Sequence, residues 1–127
     1  MSYAHERNVL HLGLNPGNIL LNEREVAQIM DFGLARLSNA IVDVTSALVG
    51  TLRYIAPEQL EDRPPTAQTD VRSLGLILYE MLTGCSAVRA RSIHIAAHEI
   101  LNQDIDLALI DAMDNMAPIS AFLLGAL

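Results

Sequence analysis

The chain has 127 residues, 51% of them hydrophobic, and a formal charge of −7 at neutral pH. This length fits one domain with a buried core, and the hydrophobic share excludes an intrinsically disordered chain. The acidic balance argues against a nucleic-acid or anionic-membrane surface, and the absence of lysine excludes any mechanism in which this chain must supply a lysine amine.

A single cysteine, Cys85, excludes an internal disulfide bond and a cysteine-based zinc site. This usage is typical of a reducing compartment and predicts a cytoplasmic location. The first eleven residues contain no apolar signal core, and the apolar stretch 74–82 is short and interrupted by Glu80. We therefore expect no membrane segment.

The predicted elements begin with the last turns of a helix at residues 3–9. Short apolar runs at about 19–21 and 26–29, separated by polar residues, predict a β-hairpin. Between residues 31 and 58 the periodicity disappears, which predicts a long loop of the kind that usually carries function.

A helix at about 70–83 is apolar nearly all round, which predicts a central buried position, and Gly84 is expected to end it. Residues 92–101 have the pattern of an amphipathic helix. We expect another helix at 105–116, and a last apolar helix at 119–127.

Four segments in order carry a family resemblance: HLGLNPGNILL, MDFGLARL, GTLRYIAPEQL and TDVRSLGLILYEMLTG. Together they resemble the C-terminal lobe of a protein kinase of the serine/threonine type, similar to bacterial members. The resemblance implies an α+β, mainly α fold. It also implies that residues 1–127 form one partial kinase-like domain, a C-lobe from which the N-lobe and the last helices are absent.

The first segment resembles the kinase catalytic loop, which reads His-Arg-Asp-x-Lys-Pro-x-Asn in the family. By this resemblance, Gly13 stands at the position of the aspartate that accepts the substrate hydroxyl proton. Leu12 replaces the arginine that pairs with a phosphorylated activation loop, and Asn15 replaces the lysine beside the transferred phosphoryl group. Three charged positions are thus neutral in this chain.

The resemblance makes Asn18 and Asp31 the positions that hold Mg²⁺, and both offer the hard oxygen ligands that this ion prefers. It also implies ATP as the second cofactor. In the family, a glycine-rich loop and a strand lysine of the N-lobe hold the ATP phosphates. Because the chain contains neither, we expect it to bind ATP poorly on its own.

The activation segment contains Thr45, Ser46 and Thr51. The resemblance allows Thr45 or Ser46 to be a phosphorylation site and places Thr51 in the loop that docks substrate. The alternative is that Thr45 and Ser46 are polar loop residues, and the loss of the arginine at Leu12 favours this alternative.

Three residues have structural roles by resemblance. His11 packs and hydrogen-bonds within the loop, and Asp70 accepts hydrogen bonds from backbone amides near His11. Glu58 pairs in the family with an arginine that this chain does not contain, so we expect an unpaired, half-buried carboxylate. Arg72 stands where the family usually has an aromatic residue, and one flank of the 70–83 helix is expected to lie uncovered.

These observations predict a chain that is not a competent kinase and acts, if at all, as a pseudokinase-like module that binds a protein partner. One alternative is a part of an active ATP-dependent serine/threonine kinase, whose N-lobe lies elsewhere and which acts on a protein substrate. Another is a decayed or mispredicted reading frame without function. A stable folded product would argue against the last.

Overall fold

The computed structural model of the chain describes residues 1–31, 52–89, 91–113 and 117–127. Within these residues the fold is α+β and mainly helical, as predicted. The elements, in chain order, are α1 (Ser2–His5), β1 (Ile19–Leu21), β2 (Ala27–Ile29), α2 (Pro57–Leu60), α3 (Ala67–Thr83), α4 (Ile93–Asn102), α5 (Ala108–Asp111) and α6 (Ala117–Ala126), with a 3₁₀ turn at Pro16–Asn18.

The predicted hairpin is confirmed, although its second strand begins at Ala27 and not at residue 26. The strands are antiparallel, with Ile19 opposite Ile29. Both isoleucines pack against the core, whereas Leu20 is 51% exposed. The turn is held by the side chain of Asn22, whose Oδ1 accepts hydrogen bonds from two backbone amides within the turn.

The central helix α3 is confirmed, and it begins at Ala67, three residues earlier than predicted. Thr66 and Thr69 form a reciprocal cap, in which the hydroxyl oxygen of each side chain accepts a hydrogen bond from a backbone N–H at the helix start. At the other end, Gly84 adopts the left-handed conformation with φ of 69° and donates its N–H to the carbonyl of Glu80 at 2.8 Å. Capping residues at both ends fix the length of this helix.

Helix α3 lies between two apolar clusters. Leu76 and Ile77 pack with Leu14 and Tyr54 on the side of the hairpin. Tyr79 packs on the other side, in a cluster whose buried members are Tyr79, Leu107, Ile110 and Leu123. Met81 on the same helix is 76% exposed, so one flank of α3 is uncovered within the part of the chain described above. The sequence predicted such a flank.

Helix α4 matches the predicted amphipathic helix, with Ser92 as its N-cap and Ala96 and Ile100 buried. The helix predicted at 105–116 is wrong in its length, because the described part contains only the four residues of α5. Asp106 accepts a hydrogen bond from the N–H of Ala108 at 2.9 Å, and a local side-chain bond of this kind competes with helical hydrogen bonding before α5 begins.

Two other boundaries differ from the prediction. Helix α1 ends at His5 rather than at residue 9, since Asn8 adopts a φ of 56° and leaves the helical region. The loop predicted over 31–58 gives way to helix α2 at Pro57, and its residues 32–51 lie outside the described ranges. In the described residues, no helix has the length and apolar character needed to span a membrane.

Candidate functional site

Asp70 connects helix α3 to the loop that follows α1. Its carboxylate is fully buried and accepts hydrogen bonds from the backbone N–H of His11 at 2.9 Å and of Leu12 at 2.8 Å. The same carboxylate lies 2.8 Å from Nε2 of His5, a contact that sequence reasoning missed. Asp70 also occupies the first turn of α3, where the helix dipole favours a negative charge.

The loop backbone at Leu12 is held in a strained conformation. Its φ of 63° lies in the left-handed region, which costs a side chain such as leucine about 1–2 kcal/mol. The carboxylate of Asp70 holds the N–H of Leu12, and Nε2 of Gln59 donates to its carbonyl at 3.0 Å. Helices α2 and α3 therefore impose this conformation from both sides of the peptide.

The buried ring of His11 joins the loop to the end of β2. Its Nδ1 accepts from the N–H of Gly13 at 3.3 Å, so the ring proton lies on Nε2 in the neutral form. Nε2 then donates to the carbonyl of Met30 at 2.7 Å. This geometry corresponds to the packing and hydrogen-bonding role expected for His11.

Gly13 and Asn15 form part of a loop in which side-chain amides form hydrogen bonds with the loop's own backbone. The carbonyl of Gly13 accepts from Nδ2 of Asn15 at 3.1 Å and from Nδ2 of Asn18 at 3.0 Å. Oδ1 of Asn15 accepts from the N–H of Gly17 at 2.9 Å and caps the 3₁₀ turn. The loop thus has an ordered framework, with no charged side chain at positions 13 and 15.

Asn18 and Asp31 are brought near each other by the hairpin. The N–H of Met30, the residue before Asp31, donates to the carbonyl of Asn18 at 2.9 Å. Nδ2 of Asn18 donates a hydrogen bond to the carbonyl of Gly13, so Oδ1 is the side-chain atom that could bind a cation. Asp31 is exposed with a φ of 59°.

These two residues supply the hard oxygens that suit Mg²⁺, but they supply few of the six ligands that it takes. The described residues contain no cluster of three or more histidine, cysteine or acidic side chains that could hold a metal. The remaining ligands of such an ion would be water molecules or nucleotide phosphates.

Of the other predicted site residues, Thr45, Ser46 and Thr51 lie outside the described ranges. The expectation that Glu58 is unpaired is wrong. Its Oε1 accepts a hydrogen bond from Oγ1 of Thr69 at 2.5 Å, and it interacts electrostatically with Arg72. Sequence reasoning missed this partner because Thr69 belongs to a different helix, eleven positions along the chain.

The segment before α2 is fixed to α3 by a further pair of hydrogen bonds that the sequence did not indicate. Oγ of Ser73 donates to the carbonyl of Tyr54 at 2.7 Å, and the hydroxyl of Tyr54 donates to Oε2 of Glu80 at 2.7 Å. Burial, reinforced by Glu80, raises the pKa of Tyr54 to about 12. The segment before α2 is thereby attached to α3 at two positions, Ser73 and Glu80.

Most of the chain also matches the model of a known protein family. The model described as the protein kinase domain matches residues 1–121. The chain belongs to the protein kinase family. Its motifs therefore lie in a protein kinase fold.

Similar proteins are serine/threonine kinases from plants and bacteria. Serine/threonine-protein kinase STY46 of Arabidopsis thaliana is 44% identical over 84 residues, which are 66% of this chain and 14% of that protein. Probable serine/threonine-protein kinase pknA2 of Bifidobacterium longum is 46% identical over 85 residues, 66% of this chain and 11% of that protein. Serine/threonine-protein kinase PknB of Mycobacterium tuberculosis is 33% identical over 130 aligned positions, 89% of this chain and 21% of that protein. The chain thus spans about a fifth or less of the length of these relatives.

Proposed function

We propose that this chain is a serine/threonine kinase-like C-lobe that does not transfer phosphate and acts by binding a protein partner in the cytoplasm. The observation that carries the proposal is the loop at Gly13. Its backbone is held in place by Asp70, Gln59 and Asn18, while the position of the proton-accepting aspartate carries no side chain.

The loss of chemistry follows from what phosphoryl transfer needs. The reaction depends on positioned nucleotide phosphates and on a group that accepts the hydroxyl proton. Loss of a positioned base costs about 10²- to 10⁴-fold in rate. The glycine at 13 and the asparagine at 15 remove both the base and a cation beside the phosphoryl group, and the chain has no lysine that could substitute.

Thermal unfolding of the full chain with and without Mg-ATP tests the proposal. We expect one cooperative transition that does not move with nucleotide. A ligand present at 100 times its Kd would stabilise the fold by about 2.7 kcal/mol, which is a readily measured shift. Such a shift, if it disappeared in an Asn18→Ala and Asp31→Ala double variant, would contradict the proposal and establish a nucleotide site.

A second candidate is that the chain is part of an active kinase whose N-lobe lies elsewhere. The retained Asn18 and Asp31 and the strained backbone at Leu12 favour it, since strain of this kind is common at functional sites. Phosphate transfer from labelled ATP by the complete protein would support it, provided that Asp31→Ala abolished the transfer. The absence of a cooperative transition in the chain alone would contradict the proposed module and favour a piece of a kinase that needs the rest of its domain to fold.

A further inference from the structure

An open cleft of about 350 Å³ lies between the segment that precedes α2 and the loop that follows α3. The four residues that line it are Arg53, Cys85, Ser86 and Arg89. All four belong to the described range 52–89, so neither end of the sequence contributes to the wall of the cleft. Two of the four carry a guanidinium group, and Ser86 adds a hydroxyl.

The two arginines concentrate positive charge on a chain that is acidic overall. The sequence has 15 acidic residues and 8 basic ones, yet no acidic residue lines this cleft in the described part of the chain. The ion pairs formed by the described residues include neither Arg53 nor Arg89. Two guanidinium groups that no carboxylate neutralises attract an anion to this point of the surface.

The side chain of Arg53 is partly removed from water. The residue is half-buried, and its Nε is buried without a hydrogen-bond partner among the residues that the structure describes. Arg53 and Glu80 both interact electrostatically with the hydroxyl of Tyr54, but Oε2 of Glu80 accepts a hydrogen bond from that hydroxyl at 2.7 Å. An anion in the cleft would offset the charge of Arg53, and a side chain that is already packed loses little further freedom on binding.

The main chain on the other side of the cleft is held by two hydrogen bonds. Oγ1 of Thr83 accepts from the N–H of Cys85 at 3.2 Å, and Oε2 of Glu99 accepts from the N–H of Arg89 at 3.2 Å. The side chain of Arg89 itself is exposed. The cleft therefore combines one half-buried guanidinium with a second, exposed one on an anchored backbone.

We propose that the cleft formed by Arg53, Ser86 and Arg89 binds a phosphorylated serine or threonine side chain of a protein partner. A phosphomonoester has three acceptor oxygens and a charge of about −1.5 to −2, which two guanidinium groups can share, whereas one carboxylate occupies a single guanidinium fork. Arginine clusters are a recurring mode of phosphopeptide recognition. This inference rests on the proposed function, because it specifies the chemistry of the partner that the chain binds.

Titration of the full chain with a short phosphoserine peptide, capped at both ends and observed through amide NMR shifts at low salt, tests the site. We expect saturable binding with a Kd on the order of 1 mM or tighter, with the largest shifts at residues 52–54 and 85–89. The same peptide with serine should bind about 10-fold or more weakly, and the same peptide with glutamate should bind about 3-fold or more weakly. Added salt should weaken binding of the phosphopeptide, since the site is open to solvent.

Arg53→Gln and Arg89→Gln each remove one charge from the cleft. We expect each variant to bind the phosphopeptide about 10-fold more weakly, because each loses a charge-assisted hydrogen bond. Arg89 is exposed, so its replacement should leave the melting temperature unchanged. The matched control is Arg24→Gln, which removes the same charge from an exposed arginine in the hairpin turn and should bind like the unmodified chain.

Three results would overturn the proposal. They are the absence of saturable phosphopeptide binding, an affinity for the serine or glutamate peptide equal to that for the phosphopeptide, and unchanged affinity in Arg89→Gln. The first two use the unmodified chain, so they do not depend on how a variant folds. The response of the melting temperature to Mg-ATP tests the loss of phosphoryl transfer separately, so a failed phosphopeptide titration with a nucleotide-independent melt would refute this site alone.

Discussion

Replacing Asp70 by asparagine keeps the size of the side chain and removes its charge and one of its two acceptor oxygens. In the structure, Oδ1 accepts from the N–H of Leu12 at 2.8 Å, and Oδ2 accepts from the N–H of His11 at 2.9 Å and lies 2.8 Å from Nε2 of His5. Whichever way the asparagine amide is oriented, its NH₂ group must face at least one of these two backbone N–H groups. One buried amide is therefore left without an acceptor.

The magnitude follows from these contacts. A hydrogen bond to a charged group contributes about 1.5–3 kcal/mol, and a buried unsatisfied donor costs about 1–3 kcal/mol. We expect Asp70→Asn to lower the free energy of unfolding by about 3–5 kcal/mol, which is roughly the sum of these two losses. For a chain of this length, this corresponds to a melting temperature lower by about 10–20 °C.

Thermal and urea unfolding of the full chain measure this loss, and Asp62→Asn is the matched control. Asp62 is exposed with a φ of 54°, a conformation that asparagine tolerates, so its replacement should change stability by less than about 0.5 kcal/mol. Hydrogen exchange at the amides of His11 and Leu12 gives a local readout, which should accelerate only in Asp70→Asn. If the two variants unfolded within 1 kcal/mol of each other, the assignment of the loop's conformation to Asp70 would be refuted.

Three further substitutions are expected to change stability in a stated direction. Because the folded state favours the neutral phenol of Tyr54, whose pKa is raised to about 12, this contribution is complete below pH 10 and is lost between pH 10 and about 12. Melts across pH 9–11.5 should therefore show a smaller alkaline loss for Tyr54→Phe, and an equal loss would contradict the reasoning. Gly84→Ala should lower the free energy of unfolding by about 1 kcal/mol, because its φ is 69° with open space around it. Gly125→Ala, inside α6 and also in open space, should raise it by about 0.5–1 kcal/mol, and in urea unfolding a change of the opposite sign would contradict the prediction for that variant.

The elements that sequence reasoning located well are those fixed by local chemistry. The end of α3 follows from the left-handed Gly84, as predicted. Its start was predicted three residues too late, and the reciprocal cap of Thr66 and Thr69 explains why the helix begins at Ala67. The hairpin follows from two apolar runs separated by a turn that Asn22 can close. The helix predicted at 105–116 was too long, since residues 105–107 and 112–113 are not helical and only Ala108–Asp111 form α5.

The contacts that sequence reasoning missed join residues far apart in the chain. His5 reaches Asp70 across 65 positions, and Gln59 reaches the carbonyl of Leu12 across 47. Neither contact leaves a periodic signal, since each depends on where two separate elements pack. The expectation of an unpaired Glu58 failed for the same reason, because it considered only the family's arginine and no acceptor or donor on α3.

The shape of the loop and its chemistry are carried by different residues. Asp70 accepts a hydrogen bond from the N–H of Leu12, and Gln59 donates one to its C=O. Asn18 donates a hydrogen bond to the carbonyl of Gly13. None of these bonds requires a particular side chain at positions 12 or 13, so the framework imposes no penalty for the loss of the base or of the arginine. A loop fixed through its main chain can therefore keep its conformation when the side chains at these positions change, so an ordered loop is compatible with the proposed loss of phosphoryl transfer.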